Sequence, residues 1–195
     1  MSHFKQLDFT KFDLASAYSD ITDLTFGRED TPGGQVCINT QKGHEDDPFY
    51  GYGGLWKDWQ NQKTITYDNG TKETIVPWRK EGLKEQDFNV VCEQFKGTIF
   101  EEAYEELNSK FILGRVRLMT LASKRCLTWH KDTSPRIHYP FITELENFMI
   151  IEDEVKHLPN NTWWLTDTTH NHTALNGSTK DRIHLVAVLL GKRLG

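Results

Sequence analysis

The sequence predicts a mainly β globular domain of the sandwich or barrel class, preceded by a mixed α+β elaboration. Three observations predict it. Beyond Gly114, short segments of strand composition follow one another closely, with turn residues between them. Six Trp and eleven Phe supply large groups to bury, which disordered chains lack. At 195 residues, with no linker-like stretch and no internal repeat, the chain is long enough for one real core. We therefore expect a single domain, with residues 1–111 as the elaboration and 112–195 as the β core.

In chain order, Phe12, Leu14 and Ala17 suggest a short helix, and Thr31-Pro32-Gly33-Gly34 a turn. Residues 35–40 alternate as a strand does. Residues 43–59 form a loop rich in Gly, Asp and aromatics, either packed down by its rings or acting as a flap over a pocket. Residues 64–67 and 71–76 flank Asp68-Asn69-Gly70. Asn-Gly accepts positive φ at both central turn positions, so a tight hairpin is expected there. Residues 80–95 fit helix or strand equally. Thr98 and Glu101 have capping-box spacing, ahead of Phe100, Tyr104, Leu107 and Phe111 on one helical face. Strands are then expected at 116–121, 127–132, 136–143, 147–152, 162–167, 170–176 and 182–190.

Net charge is −5, and no basic patch stands out, so nucleic acid is a poor partner. Three separated cysteines, Cys37, Cys92 and Cys126, offer neither a zinc thiolate pattern nor a disulfide framework. No run reaches membrane-spanning length and the first residues carry no apolar signal segment, so a cytoplasmic protein is expected.

The chemistry concentrates between Met119 and Val186. His130 and Asp132 are two apart, so on a strand both point to one face. With His172 they form two imidazoles and one carboxylate, the donor set of non-haem Fe(II) oxygenases with open positions for reactants. A lone His-x-Asp is common on surfaces, and the third donor is what raises its weight. Arg182 follows His172 by one hairpin, returning a cation toward the same cavity. A buried Arg needs an anionic partner, and a dicarboxylate cosubstrate fits one through a two-pronged contact. The competing role is a structural salt bridge. Trp163 and Trp164 are expected in the sheet core, and His44 and His157 on the surface.

From about Arg115 to Gly191 the chain resembles the aspartyl/asparaginyl β-hydroxylase-like group of 2-oxoglutarate oxygenases, to which amino-acid proline 3-hydroxylases are related. The matching stretches are His130-Lys131-Asp132, Arg136-Ile137-His138-Tyr139-Pro140, His172-Thr173-Ala174-Leu175-Asn176 and Asp181-Arg182-Ile183-His184-Leu185-Val186. The first hundred residues match much less clearly. The resemblance implies a double-stranded β-helix (jelly roll, cupin-like), with Fe(II) held by His130, Asp132 and His172 as the catalytic centre. It implies Arg182 on the distal carboxylate of the cosubstrate 2-oxoglutarate, with Arg136 and His138 near cosubstrate or substrate carboxylates. O2 is the co-reactant. His170 shares strand parity with His172, but the family spacing to Arg182 selects His172. His170 is then a supporting or solvent-exposed histidine, and His184 a supporting or core one. Animal peptide-modifying members lack the carboxylate of the His-x-Asp, whereas Asp132 is present, as in amino-acid or bacterial-type members.

The implied reaction is hydroxylation of a C–H bond in an amino acid, or in an Asp, Asn or Pro residue of a peptide. The alternatives are a cupin-type metal enzyme not using 2-oxoglutarate, and a non-catalytic jelly-roll binding module. Arg182 argues against the first.

Overall fold

The structure, a computed structural model, describes residues 2–21, 34–58, 61–79 and 82–193. The expected turn at 31–34 lies almost wholly outside the described residues, as does Trp59 at the end of the aromatic loop.

The carboxy-terminal strands form a jelly roll. They are β7 (Phe111–Leu121), β8 (Arg125–Cys126), β9 (Arg136–Ile142), β10 (Asn147–Ile151), β11 (Glu154–Lys156), β12 (Trp163–Thr166), β13 (His172–Asn176) and β14 (Arg182–Lys192). Apart from the β10–β11 hairpin, which stays in one sheet, successive strands alternate between two antiparallel sheets. One carries the order β12-β9-β14-β7 and the other β11-β10-β13-β8. That alternation defines a double-stranded β-helix, with the ligand space between the facing sheets.

The elaboration is continuous with this frame. β1 (Phe4–Leu7) pairs with β12, and β2 (Gln35–Cys37) pairs with β7, giving a six-stranded sheet. β3 (Asn39–Thr40) pairs with β6 (Val90–Val91), and β4 (Lys63–Thr66) with β5 (Lys72–Ile75) in a wholly exposed hairpin. The ambiguous stretch before residue 95 resolves into β6 and two short 3-10 turns, Glu85–Asp87 and Glu93–Phe95.

Helix α1 (Leu14–Tyr18) starts where Asp13 accepts from the Ser16 amide. Helix α2 (Ile99–Asn108) buries Phe100, Ala103, Tyr104 and Leu107. Its capping box is displaced by one residue. Thr98 accepts from Phe100 N, while Glu101 reaches back to Gly97 N rather than to Thr98 N. Phe111 is not on this face, because the helix stops at Asn108 and Phe111 opens β7.

Alternation along the central strands sorts residues between two environments. Val116 and Leu118 on β7, Ile137, Tyr139 and Phe141 on β9, and Ile183, Leu185 and Ala187 on β14 join α1 and α2 in one apolar cluster with Trp163. Tyr139 and Trp163 also tether the irregular segment before α1. The Tyr139 hydroxyl donates to Phe12 O (2.8 Å), and Trp163 Nε1 donates to Thr10 O (2.7 Å).

The other face of β7, β14 and β9 is polar. A register shift near Gly114 changes which parity of β7 faces inward, so Leu113 lies in the apolar cluster although Arg115 does not. Buried Asn39 satisfies the backbone there. Its amide donates to Gly114 O and Phe88 O, and its carbonyl accepts from Val116 N.

Two local expectations are corrected. The 127–132 stretch is not a strand, since β8 covers only Arg125–Cys126 and His130 makes a single bridge with His172. The 68–70 turn has positive φ only at Gly70 (80°). The Gly70 N–H bonds Tyr67 O and the Tyr67 N–H bonds Thr71 O, giving a three-residue loop rather than a two-residue turn.

Candidate functional site

A cavity of about 450 Å³ opens between the two sheets, with His130, Asp132, His138, His172 and Arg182 in its wall. Backbone, rather than a regular strand, brings the first three donors together. His130 N donates to His172 O (3.1 Å), and His172 N returns a bond to His130 O (2.9 Å). Asp132 N donates to Thr168 O (2.9 Å) in the turn before β13. His130 and Asp132 therefore keep strand parity without being in a strand, and Lys131 between them and Trp129 before them are exposed.

Donor atoms of His130, Asp132 and His172 all lie within 4.8 Å of one another. Asp132 Oδ2 is 3.6 Å from His172 Nε2. Each imidazole is aimed by a main-chain carbonyl: His130 Nδ1 at Thr128 O (2.7 Å) and His172 Nδ1 at His170 O (3.0 Å). A ring whose Nδ1–H donates to a carbonyl presents an unprotonated Nε2, the form a metal requires. Burial lowers the His172 pKa, which also favours neutral imidazole. Two imidazoles and a carboxylate on one side fit a divalent metal such as Fe(II), with positions left open on the cavity side.

Arg136 donates to this carboxylate. Its guanidinium lies 2.9 Å from Asp132 Oδ1 and also bonds Ser134 O and Oγ. It thus braces the donor Asp132, whereas the sequence expectation put it on a cosubstrate or substrate carboxylate.

Behind the donors lies a chain of buried nitrogen groups. Arg182 donates to His184 Nδ1 (3.1 Å), and His138 Nδ1 faces that same nitrogen at 3.3 Å. A guanidinium can only donate, so His184 Nδ1 accepts. It follows that His138 Nδ1 carries its proton and that the free proton of His184 sits on Nε2. Neither Nε2 has a hydrogen-bond partner among the described residues, although both are buried. Burial, then the Arg182 charge, drives both histidines well below the ordinary imidazole pKa, so both are neutral. Arg182 has no carboxylate partner among the described residues, and burial lowers its pKa to about 10.

Sequence reasoning missed two cavity residues, Arg115 and Arg117. Arg115 is paired: its guanidinium meets Glu85 at 2.8 Å and donates to Gly51 O and Gly53 O. It thereby pins the aromatic loop against the cavity, where Gly53 and Gly54 form part of the wall. A Cβ on Gly51 would lie 2.6 Å from the Phe88 ring, so the loop approaches this closely only with glycine there. Arg117 donates to Gln35 Oε1 (2.8 Å), but its Nε is unpartnered and no carboxylate pairs with it among the described residues. Burial, then the Arg115 charge, pulls its pKa down to about 9. The missed signal was two cations two residues apart in an otherwise apolar strand, which share one face.

The family model for Aspartyl/Asparaginyl beta-hydroxylase matches residues 53–190. The chain belongs to the aspartyl/asparaginyl β-hydroxylase family. That match spans every cavity residue discussed above except Gln35, and it extends upstream of Arg115 into the aromatic loop. Among curated proteins, none matches. Among solved structures, a 2OG-Fe(II) oxygenase family oxidoreductase from Burkholderia pseudomallei is similar at 12% identity (TM-score 0.39), covering 66% of this chain and 72% of that one. A predicted oxalate decarboxylase from Thermotoga maritima is similar at 15% identity (TM-score 0.35), covering 66% of this chain and 92% of that one. A cupin domain from Bordetella pertussis is similar at 12% identity (TM-score 0.34), covering 38% of this chain and 79% of that one.

The remaining histidines and tryptophans occupy distinct settings. His170 is not on β13 but in the preceding turn, with Nδ1 3.2 Å from Asp167 Oδ2. His184 lies in the cavity wall beside Arg182. Trp163 and Trp164 are buried as expected. His157 is half-buried against Asn147 O, and His44 stacks on Tyr50.

Proposed function

We propose that this family member is an Fe(II)- and 2-oxoglutarate-dependent hydroxylase, acting on a C–H bond of an amino acid or of an Asp, Asn or Pro residue in a peptide. The observation that carries this reading is Arg182, a buried cation with no acidic partner among the described residues, in the same cavity as a two-histidine, one-carboxylate cluster. An isolated buried charge is costly, and an anionic ligand offsets that cost.

In this reading His130, Asp132 and His172 hold Fe(II). The bound metal and cosubstrate supply the oxidising power: O2 is consumed, 2-oxoglutarate becomes succinate and CO2, and one oxygen atom reaches the substrate carbon. The chain's own residues do the rest. Arg182 and the His184 Nε2–H bind the distal carboxylate as a donor pair. Arg136 keeps Asp132 oriented. Arg117, which has no carboxylate partner among the described residues, seats a carboxylate of the substrate at the opposite side of the cavity wall. Strand pairing supports this separation. Arg117 is level with Val186, and Val186 is about 13 Å along β14 from Arg182, at ~3.3 Å per residue.

A screen of amino acids and peptides for succinate release, with Fe(II) and 2-oxoglutarate, tests the proposal. Succinate formation that Asp132→Ala abolishes is the expected result. Metal-dependent turnover of a substrate without succinate would instead favour a cupin-type enzyme that does not use 2-oxoglutarate.

A further inference from the structure

A second group of metal-type donors lies outside the cavity. Ligand atoms of His3, Asp167 and His170 all fall within 4.8 Å of one another. The fold brings them together through β1. Because Phe4 pairs with Thr166, the next residues outward, His3 and Asp167, face each other at the sheet end, and Asp167 N donates to His3 O (2.9 Å). His170 returns to the same spot through the turn that follows β12.

The donors are held in place. Asp167 Oδ1 accepts from the Thr169 hydroxyl (2.5 Å), leaving Oδ2 toward His170 Nδ1 at 3.2 Å. The His3 and His170 rings are 4.6 Å apart. His3 N donates to Glu154 (3.0 Å), fixing the backbone that carries the ring. Neither the His3 ring nor His170 Nε2 has a protein hydrogen-bond partner among the described residues. A plain hydrogen-bonded cluster accounts for Asp167 and His170 but leaves the His3 ring without a role.

We propose that His3, Asp167 and His170 form a second divalent-cation site, suited to a Zn2+-type ion. Two imidazoles and one carboxylate suit such a metal, with water completing the tetrahedron. Tetrahedral zinc with bonds of about 2.0–2.1 Å needs donors about 3.4 Å apart. Reaching that from 4.8 Å takes a rotamer adjustment that the half-exposed His170 and Asp167 side chains allow.

The site lies back to back with the cavity cluster. The turn that supplies Asp167 and His170 also supplies Thr168 O to the Asp132 amide and His170 O to His172 Nδ1. An ion on the outer side therefore fixes the turn that aims two inner donors, and it ties β1 to that turn. This inference is independent of the oxygenase reading, since it requires only the outer donors.

Equilibrium dialysis with Zn2+ on the whole chain tests it. The wild type should retain about two equivalents, and Asp132→Ala, His3→Ala and His170→Asn each about one. The double variant His3→Ala with Asp132→Ala should retain none, and His3→Asp, which restores a donor, should recover the second equivalent. His3→Ala should also weaken the remaining inner equivalent by up to about 10-fold, through loss of the ordered turn. Unchanged stoichiometry in His3→Ala, or a wild type whose whole Zn2+ content disappears with Asp132→Ala, overturns the outer site. Unchanged inner affinity in His3→Ala overturns the coupling. Loss of the inner equivalent alone, by contrast, bears only on the cavity cluster.

Discussion

The two faces of the six-stranded sheet use the same three strands for opposite ends. On β9, Ile137, Tyr139 and Phe141 face helices and apolar packing, while Arg136 and His138 face the cavity. On β14, Ile183, Leu185 and Ala187 face the core, while Arg182 and His184 face the cavity. The apolar face gains stability from each residue buried there. The cavity face buries cations and imidazoles with incomplete partners, so it loses stability. The difference teaches that the site is carried by its own backing: each side chain that costs free energy alternates with one that recovers it.

The largest effect should come from breaking the stabilising face. Trp163→Ala removes a buried indole and its bond to Thr10, and should cost about 3–5 kcal/mol in denaturant unfolding. A loss below about 1 kcal/mol would show that this face does not carry the fold.

Arg182→Ala should do the reverse, leaving stability nearly unchanged while weakening 2-oxoglutarate. Charged hydrogen bonds are worth about 1.5–3 kcal/mol, so affinity should fall roughly 10- to 150-fold in anaerobic titration with Fe(II). Unaltered affinity would give Arg182 another job.

The cavity face should also make stability depend on pH. His138 and His184 have folded-state pKa values well below the unfolded value near 6.5. Above that value both states are neutral and the rings exert no pH effect. As pH falls below about 6.5 the unfolded chain takes up protons that the folded chain refuses, so stability drops. The slope is at most about 1.4 kcal/mol per pH unit for each ring. Thermal melts from pH 8 to pH 5 of the wild type and of His184→Gln measure it, and identical slopes would remove His184 from this role.

Arg117→Met should raise the melting temperature of the ligand-free protein, by about 1 kcal/mol of stability, because it removes a buried charge with no carboxylate partner among the described residues. Destabilisation instead would mean that its bond to Gln35 outweighs its isolation. Thr98→Ala should cost least on the supporting side, about 1 kcal/mol or less, by removing the α2 cap, read by urea unfolding.

Much of this division was legible from residue order. Strand composition along residues 136–143 and 182–190, with turn residues between the strands, marked the sandwich-or-barrel class, and the family resemblance narrowed it to a jelly roll. The hairpin at 63–75 and the helix after Thr98 were equally local. What was not legible depended on distant partners. The stretch from Leu127 to Asp132 has strand composition, yet its amides bond the turn before β13 and β13 itself rather than a regular neighbour. His170 shares parity with His172 on paper, but β13 starts only at His172 and leaves His170 facing Asp167 and His3. Arg115 and Arg117 look equivalent in sequence, but the approach of Glu85 gives Arg115 a carboxylate, while Arg117 has only Gln35 among the described residues.

The sequence by itself determined the strand-rich carboxy-terminal half, the donor types and their order, and the presence of a cation one hairpin beyond the last histidine. These are short-range properties, written in periodicity and spacing. The tertiary structure alone decided which cations find acids, which histidine faces the cavity and which faces outward, and how β1 and β2 extend the sheet. Those outcomes depend on contacts between separate elements, such as Glu85 with Arg115 or Phe4 with Thr166, and a buried charge is settled by what happens to arrive beside it.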